Sequence, residues 1–112
     1  MNRTIALLPL LLLATAAPAQ QVSPQERARL QRLGAALAQC HGGIVRRDAP
    51  TRATAAQIVQ RALAGCAARE APIRAALVRH MGAERAAQAM QAQRAHWRAG
   101  IAQMVAAARA RR

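Results

Sequence analysis

Residues 39–66, QCHGGIVRRDAPTRATAAQIVQRALAGC, decide how this chain folds, because they contain both of its cysteines, Cys40 and Cys66. Zinc and iron–sulfur sites are usually marked by closely spaced cysteines such as C-x-x-C, and a c-type haem requires C-x-x-C-H. A redox dithiol likewise requires C-x-x-C at a helix N-terminus. The sequence has none of these spacings, so we expect the two cysteines to form a structural disulfide.

The cysteine positions also predict how far the first helix runs. If Gly42 and Gly43 ended that helix, Cys40 would lie at the turn and Cys66 well inside the next helix. The offset along the helix axis, at about 12 residues and 1.5 Å per residue, would then be roughly 18 Å. A disulfide allows only about 4.4–6.8 Å between its Cα atoms. We therefore expect the helix to continue through the glycines to about Asp48 and to form an antiparallel, disulfide-linked helical hairpin.

Apolar spacing and capping signals support the hairpin. The first helix is expected to place five residues at alternating steps of three and four on one face, namely Leu30, Leu33, Leu37, Cys40 and Ile44. The motifs SPQE at residues 23–26 and TAAQ at residues 54–57 are capping boxes that mark two helix starts. The second helix is expected to turn inward Ala55, Ile58 or Val59, Ala62, Leu63 and Cys66.

Two further helices complete an all-α fold, a small bundle of about four helices. Pro72 should break the second helix near residues 69–71, because proline removes a helical hydrogen bond. A short third helix from about Pro72 to Met81 would turn Ile73 and Leu77 inward, and Gly82 would end it. The last helix, from about Ala83, is expected to place on one face Met90, Trp97, Ile101, Met104 and Ala108.

Residues 1–19, MNRTIALLPLLLLATAAPA, have the pattern of a cleavable secretory signal peptide. Arg3 precedes an apolar run that ends in an A-x-A cleavage site at residues 17–19. Pro9 interrupts this run, which is shorter than the roughly 20 residues needed to span a bilayer. We expect a periplasmic or secreted protein in an oxidising compartment. It would have no transmembrane span after cleavage and a single helical domain over residues 20–112.

The strongest compositional signal is charge: 17 basic residues, all of them arginine, against four acids give a net charge of +13. An exported protein of this charge is attracted to an anionic envelope surface or to an acidic protein. The alternative is that the arginines reflect genome composition and keep Ala-rich helices soluble. The candidate anion-binding residues are Arg46, Arg47 and Arg52 near the expected hairpin turn, and Arg94, Arg98, Arg109, Arg111 and Arg112 on the last helix.

A metal or another cofactor is not predicted, although the histidines and methionines suggest copper as an alternative. A copper carrier could use thioether and imidazole ligands, here His41, His80, His96, Met81, Met90 and Met104. Met90 and Met104, however, fall on the apolar face of the last helix, where methionine is an ordinary core residue. His80 and Met81 are neighbours and cannot both face one site without distortion.

Catalysis and nucleic-acid binding are disfavoured as well. The four acids form no evident pair, and no nucleophile motif is present, so we expect no enzyme activity. Nucleic acid is an improbable partner because the chain has one Trp and neither Phe nor Tyr on which bases could stack. The last helix, with Trp97 on an apolar face and a basic remainder, could lie at a membrane interface. A core position is favoured for that face, since the chain has little other apolar surface.

The segment AQIVQRALAGC at residues 56–66, together with Cys40, resembles a pattern in a group of small secreted helical proteins of Gram-negative bacteria. These have a signal peptide and one cysteine pair. The resemblance covers residues 30–77 and implies a fold and a compartment, with no activity to carry over. The sequence therefore predicts a small exported, non-catalytic binding or accessory module. A copper-binding protein and a purely structural or stress-related envelope protein are the alternatives. The thin apolar content is also compatible with a homodimer.

Overall fold

The computed structural model describes residues 22–111. The predicted signal peptide, residues 1–19, and Arg112 lie outside the described residues. Residues 22–111 form four helices and contain no strand. The helices are α1 (Pro24–Asp48), α2 (Ala55–Gly65), α3 (Ala67–Met81) and α4 (Ala83–Ala110). The predicted all-α class and helix number are confirmed, and none of these four helices is long and apolar enough to cross a membrane.

Helix α1 continues through Gly42 and Gly43 to Asp48, as predicted. It begins with Ser23 as its N-cap, whose hydroxyl accepts a hydrogen bond from the Glu26 N–H at 3.1 Å. Pro24 occupies the first turn, where its missing N–H costs no helical bond. The helix is therefore well initiated and tolerates two interior glycines, each of which costs roughly 1 kcal/mol relative to alanine.

We expect the variant Gly42→Ala/Gly43→Ala to be more stable than the wild-type protein by about 1–2 kcal/mol. An added Cβ at Gly42 would lie 3.4 Å from Arg46 Nη1, and one at Gly43 4.0 Å from Arg46 Nη2. Arg46 is exposed, so its long side chain has room to shift away from an added methyl group. Urea unfolding monitored by circular dichroism measures the change. The control is Gly82→Ala, which should destabilise because Gly82 has φ +83°; a loss of stability in the double variant would contradict the prediction.

Helix α2 begins at the predicted capping box. The Thr54 hydroxyl accepts a hydrogen bond from the Gln57 N–H at 3.1 Å, and Gln57 Oε1 accepts one from the Thr54 N–H at 2.9 Å. Both bonds satisfy N–H groups that lack partners at a helix start. This reciprocal cap fixes where α2 begins after the turn at residues 49–54.

The break between α2 and α3 lies at Cys66, so the prediction of a break at residues 69–71 and of a helix starting at Pro72 was wrong. Cys66 has φ −105° and ψ 11°, outside the α-helical range. Pro72 instead lies inside α3, where it leaves the Ala68 carbonyl without a helical donor. Ala68 is exposed, so water can hydrate that carbonyl and the helix tolerates the proline near its start.

Helix α3 ends at Gly82, as predicted. Gly82 has φ +83°, a left-handed value that other residues rarely adopt. Its N–H donates to the Val78 carbonyl at 2.9 Å. The chain can therefore change direction within one residue and begin α4 at Ala83.

The core consists of two clusters that Ile44 and Trp97 both contact. The buried residues of the first cluster are Val45, Ala49, Ile58, Val59, Ala62, Leu63, Ile101 and Val105. Those of the second are Leu37, Cys66, Ile73 and Met90. On α2, α3 and α4 the expected inward residues are buried or half-buried, except Ala55, which is exposed. On α1 only Leu37 of the five expected residues is buried, and the other four are half-buried. On α1 the most buried face is turned toward His41, Val45 and Asp48, which the sequence pattern did not predict.

Candidate functional site

The predicted disulfide joins Cys40 of α1 to Cys66 at the α2–α3 junction, with 5.9 Å between their Cα atoms. Cys66 is buried and Cys40 half-buried. A Cβ added to Gly65 would lie 3.0 Å from Ile44 Cδ1, so glycine allows α1 to approach the junction closely. Because both sulfur atoms are bonded to each other, the pair links the helices and offers no thiolate to a metal or a substrate.

The three histidines lie in different surroundings. His41 is buried on α1, with its ring centroid 6.3 Å from that of Trp97. His80 Nε2 lies 3.5 Å from Glu26 Oε1, and His96 is exposed. Within residues 22–111, no three His, Cys, Asp or Glu side chains are grouped so that they could hold a metal ion. Of the methionines proposed for copper, Met90 is a core residue.

The sequence analysis missed a polar cluster in which His41 and Glu70 are buried and Arg94 has a side chain that is 39% exposed. His41 is 3% exposed and Glu70 1%. Arg94 Nη1 lies 3.7 Å from Glu70 Oε2. Neither His41 Nε2 nor Glu70 Oε1 has a hydrogen-bond partner within the described part of the chain. Two buried polar atoms without partners are unusual, and each could bond a water molecule or a polar ligand group.

The buried position of His41 makes stability depend on pH. Burial lowers the pKa of His41 below its ordinary value of 6.5, and the charge of Glu70 opposes this shift only partly. Below pH 6.5 the unfolded chain therefore takes up a proton that the folded chain does not. The free energy of unfolding should consequently fall as the pH falls from 6.5 toward the lowered pKa of His41.

Unfolding midpoints in urea across this pH window measure the effect. His41→Met should flatten the dependence because it removes the titrating group, whereas the exposed control His96→Gln should keep it. Glu26 and Asp48 also have lowered pKa values, from ordinary values of 4.5 and 3.8. Their contributions are lost only at more acidic pH. A wild-type midpoint that is constant between about pH 5.5 and 7.5 would refute the prediction.

Two of the predicted anion-binding arginines are paired with acids. Arg47 Nε donates to Asp48 Oδ1 at 2.8 Å, and this hydrogen bond holds the pKa of the Asp48 carboxyl below its ordinary value. Arg61 Nη1 approaches the other oxygen of Asp48 at 3.4 Å. Arg94 is paired with Glu70. Arg47 and Arg94 are thus partly neutralised within the protein.

Arg109 holds the turn between α1 and α2. Its Nε donates to the Ala49 carbonyl at 3.2 Å, and its Nη2 donates to the carbonyls of Thr51 (3.4 Å) and Ala53. The side chain is half-buried. The structure therefore gives Arg109 a role in tying the end of α4 to the α1–α2 turn.

Arg112 of the predicted set lies outside the described residues, and the other four arginines of that set are exposed: Arg46, Arg52, Arg98 and Arg111. Within the described chain, none of these four forms an ion pair with an acid. Arg98 lines a shallow pocket between α2 and α4. Arg46 on α1 and Arg111 at the end of α4 line one and the same pocket, although they are far apart in the sequence.

That pocket belongs to a groove between α1 and α4, which we call the α1–α4 groove. One part, of about 280 Å³, is lined by Ala38, His41, His96, Trp97, Gly100, Ile101 and Met104. The other, of about 200 Å³, is lined by Gly42, Val45, Arg46, Met104, Ala107, Ala108 and Arg111. Met104 contributes to both parts, so they adjoin. The residues occur in the same order along both helices, which places the arginines at one end and the histidines at the other.

Sequence reasoning missed the groove because it assigned Trp97 and Met104 entirely to the core. Both are in fact half-buried. The signal available was the repeated small residue on the facing helices, Ala38 and Gly42 on α1 and Gly100 on α4. Small residues leave space between helices as readily as they allow close packing, so the pattern by itself does not distinguish the two.

Comparison with known proteins adds no assignment to these features. No protein-family model matches the chain. No curated protein and no solved structure matches it either.

Proposed function

We propose that this protein is a small exported, non-catalytic binding module that contacts anionic components of the cell envelope through its exposed arginines. The observation that carries the proposal is the set Arg46, Arg52, Arg98 and Arg111, which is exposed and has no acidic partner in the described chain. Guanidinium groups with free donors bind phosphate and carboxylate groups through bidentate hydrogen bonds.

The distribution of acids supports this proposal. Glu26, Asp48 and Glu70 each lie within ion-pair distance of at least one arginine. Four acids against 17 basic residues leave most of the positive charge unbalanced. Such an excess raises the local concentration of anionic partners and speeds their association.

The Cys40–Cys66 disulfide fits an oxidising compartment. We therefore place the protein in the periplasm or outside the cell, delivered by the signal peptide at residues 1–19. The resemblance of residues 30–77 to small secreted helical proteins agrees with this placement. A cytosolic protein of this kind would meet reducing conditions that work against its disulfide.

The finer architecture is part of the same proposal. We infer that α1 and α2 form an antiparallel hairpin within a four-helix bundle, because the turn at residues 49–54 is short and the disulfide links Cys40 to Cys66. In this arrangement one end of the molecule contains both the α1–α2 turn, where Arg52 is exposed, and the end of α4, where Arg111 lies. Arg109 bridges them.

Vesicle sedimentation tests the proposed function. The oxidised exported protein should sediment with phosphatidylglycerol vesicles and not with phosphatidylcholine vesicles at 0.01 M salt. Binding should fade toward 1 M salt, because the screening length falls from about 30 Å to about 3 Å. Equal binding to both vesicles, or binding that salt does not weaken, would contradict the proposal. No binding to either would favour a structural envelope protein.

A matched pair of variants localises the interaction. Replacing Arg46, Arg52, Arg98 and Arg111 with glutamine should abolish most vesicle binding. The control replaces four other exposed arginines, Arg27, Arg32, Arg69 and Arg74, and changes the net charge equally. If both quadruple variants lose binding to the same extent, total charge rather than these four residues determines the attraction, and the assignment of the site fails.

A further inference from the structure

We propose that the α1–α4 groove binds one molecule of a lysophospholipid with a net negative headgroup. Its acyl chain would lie along the apolar floor of the groove, and its phosphate would be held by Arg46 and Arg111. The inference rests on the proposed function and names the ligand class of the anionic partner. It follows from the chemistry of the groove lining, which changes from apolar to cationic along its length.

The floor of the groove suits an acyl chain. Its accessible walls are the half-buried side chains of Trp97 and Met104, with fully buried Ile101 beneath them. Small residues such as Ala38 and Gly100 leave the space between the helices open. From His96 to Arg111 the groove follows α4 for roughly 22 Å, at 1.5 Å per residue. Its two parts of about 280 and 200 Å³ together fall in the lower part of the roughly 300–1,000 Å³ range of small-molecule sites.

The arginine end suits a phosphate. Arg46 and Arg111 reach the groove from two different helices, and both are exposed with their donors free of acidic partners in the described chain. Two guanidinium groups on either side of one pocket can donate several charged hydrogen bonds to phosphate oxygens. Val45, Met104 and Ala108 lie beside them, so a headgroup and the first part of a chain would meet suitable surfaces together.

No arginine and no acidic residue lines the opposite end of the groove. His41 lines it and is buried. Since burial lowers the pKa of His41, the imidazole is neutral near pH 7. Trp97 and Gly100 complete this end. A ligand with one charged and one apolar end therefore matches the groove in a single orientation.

A second copy of the chain is the competing occupant, and charge disfavours it. The full sequence has a net charge of +13, to which the predicted signal peptide contributes only Arg3. Each exported copy is therefore strongly positive, and this face of each contributes Arg46 and Arg111. Two such faces would repel each other, whereas an anionic lipid is complementary to them. The lipid is therefore the occupant that the observations favour.

Trp97 provides a direct test, because it is the only Trp in a chain without Tyr and lies on the groove wall. Lysophosphatidylglycerol carrying bromine on its acyl chain, at concentrations where it is monomeric, should quench Trp97 fluorescence saturably. The unbrominated lipid should not quench. Brominated lysophosphatidylcholine, which is zwitterionic, should bind at least about tenfold more weakly. Glycerophosphate without a chain should compete poorly.

Two matched variant pairs separate the headgroup from the chain. Arg46→Gln/Arg111→Gln should weaken the lysophosphatidylglycerol affinity by about tenfold or more, whereas Arg69→Gln/Arg74→Gln, with the same charge change, should have little effect. Gly100→Met should fill the groove and prevent quenching. Gly34→Met is its control, since an added Cβ at either glycine meets nothing within 4 Å and both variants should fold.

The outcomes distinguish this inference from the proposed function. Normal salt-dependent vesicle binding without quenching of Trp97 would overturn the groove assignment and leave the surface proposal intact. Equal quenching of Trp97 by the anionic and the zwitterionic lipid would also overturn it. Equal quenching of Trp97 in the Gly100→Met variant and in the wild-type protein would do the same. Absence of quenching combined with a dimer in light scattering would assign the groove to a second copy. Loss of both vesicle binding and quenching would refute both proposals.

Discussion

The variant Cys40→Ala/Cys66→Ala is expected to lose about 3.5 kcal/mol of its free energy of unfolding on the chain-entropy model of a disulfide. The bond closes a loop with a sequence separation of 26 residues, and without it the unfolded chain regains that freedom. The apolar core is thin, because the large apolar side chains that are fully buried in residues 22–111 are only four, namely Leu37, Ile58, Ile101 and Val105. A loss of this size approaches the total stability that a small domain has.

Urea unfolding followed by circular dichroism measures the loss. The matched control is wild-type protein in a reductant, which should unfold at nearly the same midpoint as the double alanine variant. Agreement between the two would assign the loss to the bond rather than to the volume removed at buried Cys66. A loss of unfolding free energy below about 1 kcal/mol would show that helix packing alone stabilises the fold, contrary to the chain-entropy model of the disulfide.

The course of α1 could be predicted because two independent constraints agreed. The apolar spacing continues from Cys40 to Ile44 across Gly42 and Gly43, and the disulfide geometry required helix on both sides of that pair. Capping chemistry likewise predicted the start of α2 at Thr54, since both partners of a capping box lie within four residues. Local signals of this kind involve only residues that are close in the sequence, so the tertiary contacts of the folded protein change them little.

The α2–α3 break could not be placed correctly from local signals. Pro72 is the strongest helix breaker in the segment, yet the hydrogen bond it removes is near the start of α3, where Ala68 is exposed. The chain turns instead at Cys66, where the disulfide holds the junction against α1. The boundary therefore coincides with a tertiary bond, whose position local signals do not indicate.

The polar cluster was unpredictable for a related reason. Glu70 is a single acid in a short polar stretch, and its burial depends on helices α1 and α4, which supply His41 and Arg94. From the sequence, all the candidate arginines were predicted to have the same role, anion binding. The structure separates them by partner: Arg47 and Arg94 contact acids, Arg109 contacts backbone carbonyls, and others stay exposed. Asp48 follows Arg47 directly in the sequence. The partners of Arg94 and Arg109 lie far away in the sequence, where periodicity carries no information.

Arg109→Gln should destabilise the protein by about 2–3 kcal/mol, because the guanidinium donates to three carbonyls of the α1–α2 turn and its removal leaves them without that donor. Ala49 is buried, so water cannot readily replace the bond to its carbonyl. Arg109→Lys should recover only part of the loss, since an ammonium is a point charge without the planar fork that spans the turn.

Arg111→Gln is the matched control for this prediction. It removes the same charge from the same end of α4, but Arg111 is exposed and has no acidic partner within residues 22–111. Its effect on the urea midpoint should stay within about 0.5 kcal/mol. Equal losses at the two positions would mean that end-of-helix charge stabilises α4 and that the turn does not need Arg109. A large loss of unfolding free energy at position 109 alone would instead show that Arg109 stabilises the fold, whereas Arg111, at the same end of α4, remains available for ligand binding.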